Sequence, residues 1–220
     1  MKTIKHLFLG GIILLSAIKV KAQIPNPSFE QWQTRNFGIK QFQDPNNWIT
    51  NNIVFAFTST GALPIKKTTD SRTGSFAIEL ENVPDTSEQK TGASITSGTM
   101  NILTQEFNPK FKINAKPSSL DLYYKYYPAG NDSFFVQITI MKNGEFLGAG
   151  NYTGGGKNED YSKLSIPIQY EVENQMPDSA SIFIYSSGFG NVTEGTRLIL
   201  DDLSFTNAPL SVNQLSINNS

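Results

Sequence analysis

The residues able to do chemistry in this chain are few and narrow in type. There is no cysteine and a single histidine, His6. His6 closes a basic opening, Met1 to His6, ahead of an apolar run from Leu7 to Ile18 and the small-residue site Val20-Lys21-Ala22. That order is the pattern of a signal peptide over residues 1–22, cut before Gln23; its apolar run falls well short of the roughly 20 residues a bilayer span needs. Cleavage would remove the histidine. Ser-His-Asp and Cys-His nucleophiles, thiolate chemistry and most zinc, copper and haem sites are then excluded. So is an anchor through a lipidated cysteine. Carboxylate, Lys, Tyr and Arg chemistry remains, together with hard oxygen-liganded cations such as calcium.

Among the carboxylates, Glu79 and Glu81 stand two apart on one strand face, about 7 Å by strand rise. Two acids roughly 5–9 Å apart across a cleft can hydrolyse a glycosidic bond. Acids at i and i+2 on a solvent face are equally ordinary solvated charges, and no other feature of an active site accompanies this pair. The expectation is a protein without catalytic residues.

The elements that must position such groups are strands. Short apolar runs recur between Gly, Pro, Asn, Asp and Ser clusters, which is the pattern of an all-β sandwich or barrel. Over Ser119 to Tyr127, the residues Leu120, Leu122, Tyr124 and Tyr126 share one face, opposite Asp121, Tyr123, Lys125 and Tyr127. A turn follows over Pro128 to Asp132. Ser133 to Lys142 then places Phe134, Val136, Ile138 and Ile140 inward and Phe135, Gln137 and Thr139 outward. Asn143-Gly144 is a strong hairpin signal, because a type I′ turn needs φ > 0 at both central residues, and Glu145 to Ala149 is the returning arm. Further strands are expected at Ser75–Glu81, Ser162–Ile168, Ser179–Ser186 and Thr196–Phe205, with weaker ones at Asn47–Phe57 and Thr96–Leu103. The triple glycine Gly154-Gly155-Gly156 is expected in a polar loop from Tyr152 to Asp160; it lacks the Lys-Ser/Thr pair and helix of a phosphate cradle. The tail over residues 207–220 is polar and expected to be loosely ordered.

Composition narrows the partners. Residues 1–22 carry four lysines and no acid, so their removal moves the formal charge from −1 to −5. A mildly acidic domain with scattered lysines has no field to hold nucleic acid or an anionic membrane. No disulfide can brace the fold, yet residues 23–206 are long enough for one self-sufficient core.

Four segments, in this order, carry a resemblance. Asn26-Pro27-Ser28-Phe29-Glu30-Gln31-Trp32 is followed by Asp44-Pro45-Asn46-Asn47-Trp48. Then come Lys116 through Tyr127 and Gly195 through Phe205, the latter containing Asp201-Asp202. Together they resemble the family named "putative carbohydrate metabolism domain" (PCMD-like), found in exported proteins of Bacteroidetes-type bacteria. More broadly they are similar to jelly-roll carbohydrate-binding modules. The likeness covers roughly residues 24–206. It implies a two-sheet antiparallel β-sandwich of the jelly-roll, galactose-binding or carbohydrate-binding-module-like kind. Leu210-Ser211-Val212-Asn213 also looks like the lead-in to a type IX secretion sorting domain.

In jelly rolls of this kind the first and last strands lie side by side, which would bring Glu30 to Asp201 and Asp202. Those carboxylates could hold a structural calcium; alternatively Glu30 caps loop amides while one aspartate faces solvent. Sugar rings present apolar C–H faces that stack on aromatic side chains. The outward set Tyr123, Tyr127, Phe135, Phe183 and Tyr185, with Trp32, could form such a platform if its strands are neighbours, although aromatics are also common strand packing. Trp48, after a Pro-Asn-Asn turn, is expected in the core. Asp178-Ser179-Ala180 fits a short O-glycosylation pattern. The expectation is an exported, non-catalytic, carbohydrate-binding-like protein of the periplasm, outer-membrane surface or medium, with a polysaccharide or glycan as partner. The alternatives are a structural or adhesive protein that meets another protein, and a glycosidase that uses two carboxylates.

Overall fold

The structure is a computed structural model describing residues 24–37, 40–56, 62–84, 92–101, 104, 106–188 and 192–207. The expected signal peptide over residues 1–22 and the segment from residue 208 onward, with the expected sorting-domain lead-in, lie outside the described residues. In chain order the strands begin with the hairpin β1 (Trp32–Phe37) and β2 (Lys40–Pro45), then β3 (Trp48–Thr50), a short helix α1 (Asn52–Ala56), β4 (Ile65–Thr68), β5 (Ala77–Glu81) and β6 (Ser94–Ser97). A second small hairpin, β7 (Thr99–Asn101) and β8 (Glu106–Asn108), precedes β9 (Phe111–Lys112). The long strands follow: β10 (Pro117–Tyr127), β11 (Ser133–Lys142), β12 (Glu145–Gly155) and β13 (Asn158–Pro167), then the short β14 (Gln169–Tyr170), β15 (Ser179–Tyr185) and β16 (Arg197–Asn207).

Apart from the separate two-stranded hairpins β1–β2 and β7–β8, these strands form two antiparallel sheets. One has five strands in the order β13-β10-β16-β5-β4; the other has the order β14-β12-β11-β15-β6-β3, with β9 also paired to β15. The chain crosses between sheets at β3 to β4, β5 to β6, β9 to β10, β10 to β11, β12 to β13, β13 to β14 and β15 to β16. This is a jelly-roll β-sandwich. The crossover from β10 to β11 is the expected turn over residues 128–132, held by Asp132, whose carboxylate accepts from Thr196 Oγ1 at 2.7 Å and Thr193 N–H at 2.9 Å.

The core follows the alternation. Leu120, Leu122 and Tyr126 of β10 meet Phe134, Val136, Ile138 and Ile140 of β11, with Ile182, Ile184, Leu198 and Leu200 completing the interior. Burying one such side chain is worth about 1.5–3 kcal/mol, so a continuous set of this kind holds the domain without sulfur bridges. The Asn143-Gly144 hairpin forms with φ of 52° and 86° and pairs Lys142 with Glu145.

Three expectations need correction. The segment 47–57 is not one strand: β3 ends at Thr50 and α1 begins at Asn52. The Asn52 amide is fully buried, accepts the Ile65 N–H at 2.9 Å and donates to the Ile65 carbonyl at 3.0 Å. A side chain there takes over bonds that a strand neighbour would make. The segment 96–103 is broken at Gly98, whose φ of 127° suits glycine and whose N–H reaches the Asn47 carbonyl at 2.8 Å. The glycine run is no loose loop: Gly154 and Gly155 belong to β12, and only Gly156, at φ 87°, turns the chain into β13. A side chain at Gly154 would collide with the Tyr152 ring.

Candidate functional site

The two consecutive acids of β16 owe their arrangement to a bulge. Against β10 the register slips between Asp121 and Tyr123, and Asp202 takes φ 51°. That twist leaves Asp201 opposite Tyr123 and turns Asp202 toward the N-terminal segment, where Ser28 Oγ donates to Asp202 Oδ1 at 2.8 Å. Pro27 accepts the Leu203 N–H at 2.9 Å, so the first and last segments run together as expected, although residues 24–31 are not a strand.

All three candidate metal ligands hold one loop, residues 69–76. Asp201, buried, accepts the N–H groups of Arg72 at 2.8 Å and Thr73 at 3.1 Å. Asp202 accepts from Arg72 Nη1 and Thr73 Oγ1, each at 2.7 Å. Glu30 accepts the N–H groups of Ser75 at 2.9 Å and Phe76 at 3.0 Å. Burial pushes the Asp201 carboxyl up, only partly offset by the Thr73 and Arg72 amides. Burial acts the same way on Asp202, but donors from Thr73, Arg72 and Ser28 outweigh it and hold that carboxyl below its ordinary value.

This geometry is an amide and guanidinium cradle for carboxylates. It is unlike the cage of six to eight oxygens that calcium takes, and a cation would have to displace Arg72 and the loop amides. Among the described residues no group of three or more His, Cys, Asp or Glu side chains is arranged to hold a metal ion. The capping role expected as the alternative for Glu30 is the one it plays. Neither aspartate is left to solvent.

The loop continues across the outer face of the five-stranded sheet. The Arg72 guanidinium lies 3.6 Å from the Tyr123 ring centre. Asp70 pairs with Lys125 at 2.8 Å, and its carbonyl accepts from Tyr161 Oη at 2.6 Å. Beyond the loop the face is a lattice of ion pairs. Arg197 reaches Glu79 at 3.4 Å and lies 4.8 Å from the Tyr127 ring. Lys66 pairs with Glu81, and Lys163 pairs with Asp121 at 2.9 Å. Glu79 and Glu81 do share a strand face, each bound to its own cation. That is the solvated-charge arrangement rather than a carboxylate pair across a cleft.

The outer face of the seven-stranded sheet is different. Register places Ser94, Tyr185, Phe135 and Thr153 in one row across β6, β15, β11 and β12. The next row runs Ile49, Thr96, Phe183, Gln137 and Asn151 from β3 to β12, and the next Ser181, Thr139 and Ala149. Phe135 and Phe183 lie 6.3 Å apart between ring centres, and Phe183 and Tyr185 6.4 Å. The Gly92 N–H donates to Tyr185 Oη at 3.2 Å and fixes that ring. The side chains of Gln137, Asn151, Thr153, Thr139 and Thr96 make no hydrogen bond among the described residues.

The six aromatics expected to share a platform are therefore divided. Tyr123 and Tyr127 belong to the five-stranded sheet, because β10 pairs with β13 and β16; Phe135, Phe183 and Tyr185 stand together on the opposite outer face. Trp32 joins neither group: it packs against the core edge and donates its indole N–H to the Phe29 carbonyl. Trp48 is buried against Phe29, with ring centres 5.3 Å apart. Ser179 is buried and bonded to Asp178 at 2.8 Å, so its hydroxyl is not presented for glycosylation. The outward direction of Gln137 and Thr139 was legible from alternation. Their place beside the rings was not, because it depends on which strands become neighbours.

No family model matches the chain, and no curated protein matches it. Solved structures do. A protein from Bacteroides thetaiotaomicron named a "putative glycoside hydrolase" shares the fold at 13% identity and TM-score 0.57, over 86% of this chain and 71% of that one. A non-crystalline-cellulose-specific carbohydrate-binding module, CBM28, aligns at 13% identity and TM-score 0.47 over 85% and 95%. TmCBM61, solved with β-1,4-galactotriose, aligns at 8% identity and TM-score 0.43 over 86% and 99%.

Proposed function

We propose that this protein is a glycan-recognition module and that the outer face of the seven-stranded sheet is its binding surface. One observation carries the reading: Phe135, Phe183 and Tyr185 adjoin the amides of Gln137 and Asn151, whose side chains make no hydrogen bond among the described residues. An aromatic ring covers the apolar face of a sugar, while an amide can both donate to and accept from its hydroxyls. The five-stranded face, in contrast, has its acids and bases paired with one another.

The reading is non-catalytic. The candidate acids Glu79 and Glu81 lie on the opposite sheet and are engaged by Arg197 and Lys66. The module is further read as exported, on the strength of the leader pattern in residues 1–22. Among the described residues no helix is long and apolar enough to cross a membrane. The test is affinity electrophoresis of the chain lacking residues 1–22 through gels containing soluble polysaccharides. Retarded migration that Phe183→Ala abolishes supports the reading. Unretarded migration through a broad panel favours a protein partner instead.

A further inference from the structure

A cavity lies at the β3 edge of the seven-stranded sheet, lined by residues of β1, β2, β3, α1 and β7. Alternation along β2 buries Phe42 and Asp44. Arg35 stands opposite Phe42 across the hairpin, and directly opposite residues share a face. Ile53 and Met100 supply further apolar wall. An apolar lining with a few convergent polar groups is the ordinary make-up of a small-molecule site.

The polar groups of this cavity have hydrogen-bonding capacity to spare. Asp44 is 7% exposed, and its Oδ1 accepts from Thr50 Oγ1 at 2.7 Å and Asn52 Nδ2 at 3.0 Å. Its Oδ2 accepts no hydrogen bond among the described residues. Arg35 Nε stands 3.7 Å from that oxygen, beyond hydrogen-bond reach. The Arg35 guanidinium likewise makes no hydrogen bond among the described residues. Burial pushes the Asp44 carboxyl up, and Thr50, Asn52 and Arg35 offset it only in part. A buried acceptor and an unengaged donor thus line one cavity.

The chemistry of a ligand follows by elimination. A carboxylate would be repelled by Asp44. An ammonium would be repelled by Arg35 and has no lone pair to accept from it. A hydroxyl satisfies both, donating to Asp44 Oδ2 and accepting from Arg35. The cavity volume is about 10 Å³, room for one water-sized group. That admits a hydroxyl and excludes a carboxamide. Phe42 and Met100 suit an aromatic ring behind the hydroxyl, because rings and thioethers both pack favourably against ring edges. Phe107, opposite Met100 in the β7–β8 register and 57% exposed, extends the apolar surface on the same side of that hairpin.

We propose that this cavity binds a phenolic group, its hydroxyl bridging Asp44 and Arg35 and its ring against Phe42, Ile53 and Met100. The site is separate from Phe135, Phe183 and Tyr185 and does not rest on the glycan-recognition reading.

The probe is p-cresol, titrated into the protein while the Met100 and Ile53 methyl resonances are followed by NMR. Toluene lacks the hydroxyl, benzylamine puts a cation in its place, and N-acetyltyrosinamide carries the phenol on a peptide unit. p-Cresol should shift both methyl resonances saturably. It should bind at least about fivefold tighter than toluene or benzylamine, because a polar site rejects an analogue that leaves it unpaired. Arg35→Met and Met100→Ala lie on hairpins outside the two main sheets, so the core stays intact. Each should weaken p-cresol at least about threefold, the Arg35 change by removing a hydrogen bond to the ligand. Equal affinity for p-cresol and N-acetyltyrosinamide would support the site and assign the phenol to a tyrosine of another chain. Loss of N-acetyltyrosinamide alone would support it and assign a free phenolic compound. Toluene binding as tightly as p-cresol would overturn the proposal, as would benzylamine binding tightest. So would unshifted Met100 and Ile53 methyls, or shifts confined to Thr139 and Thr153 on the aromatic face.

Discussion

The Arg72 guanidinium lies over the Tyr123 ring, 3.6 Å from its centre, while its Nη1 donates to Asp202 Oδ2 at 2.7 Å. One side chain thus closes an aromatic surface and neutralises an acid at the bulge. This is why the two outer faces of the sandwich differ. Over the five-stranded sheet the loop of residues 69–76 is stapled down by three carboxylates. Over Phe183 the polar neighbours keep their hydrogen-bonding capacity.

Removing the central staple should loosen that loop. Asp201→Ala leaves the part-buried amides of Arg72 and Thr73 without their acceptor; an unsatisfied amide costs about 1–3 kcal/mol when fully buried, and water access at this exposed loop holds the total within that range. Urea denaturation should show a loss in that range. A loss below about 0.5 kcal/mol would mean that water replaces the carboxylate without penalty.

Acid should act through Asp202. Its burial raises the carboxyl, but Thr73, Arg72 and Ser28 lower it further, so the folded pKa lies below the ordinary 3.8. Such a group stabilises the fold above its unfolded pKa, and the contribution is lost as pH falls through the folded value. Asn is tolerated at the left-handed φ of this position, so Asp202→Asn isolates the charge. The wild type should have the higher urea midpoint at pH 6, with the gap closing below about pH 4. Asp201 acts in the opposite sense: burial raises it, so the folded state takes up that proton first. A gap that persists unchanged to pH 2 would contradict the assignment to Asp202.

Calcium addition and chelation should both leave the melting temperature where it is, because the oxygens of Glu30, Asp201 and Asp202 already face N–H and O–H donors. A ligand that binds only the folded state stabilises it in proportion to the logarithm of its concentration. A melting temperature that climbs with calcium would therefore show Arg72 giving way to the ion.

The hairpin at Asn143-Gly144 offers a local test of register. Gly144 has φ 86° with nothing within 4 Å of where a Cβ would sit, so substitution there probes backbone conformation without steric contact. Gly144→Ala should cost about 1–2 kcal/mol, the penalty for an L-residue in the left-handed region. An unaffected melting temperature would show that the turn is not held in that conformation.

The long strands were legible because alternation is local: β11 runs over Ser133–Lys142, the bounds read from the residues alone. The hairpin β1–β2 was not, since Thr34, Arg35, Asn36, Lys40 and Gln41 give no apolar period. α1 was also missed, because the reason for it is the Asn52 amide bonding to Ile65, thirteen residues away. The same limit applied at the site. Outward faces could be assigned residue by residue, but whether Tyr123 and Phe183 share a face depends on strand order across two sheets. The bulge that aims Asp202 also leaves no trace in composition.

The central claim is tested most directly on a glycan array probed with three forms of the protein: wild type, Phe135→Ala/Phe183→Ala and Glu79→Gln/Glu81→Gln. The account predicts reproducible wild-type binding to a defined glycan class, loss of it in the aromatic variant and retention in the glutamine variant. Binding lost with Glu79 and Glu81 but kept without Phe135 and Phe183 would contradict it.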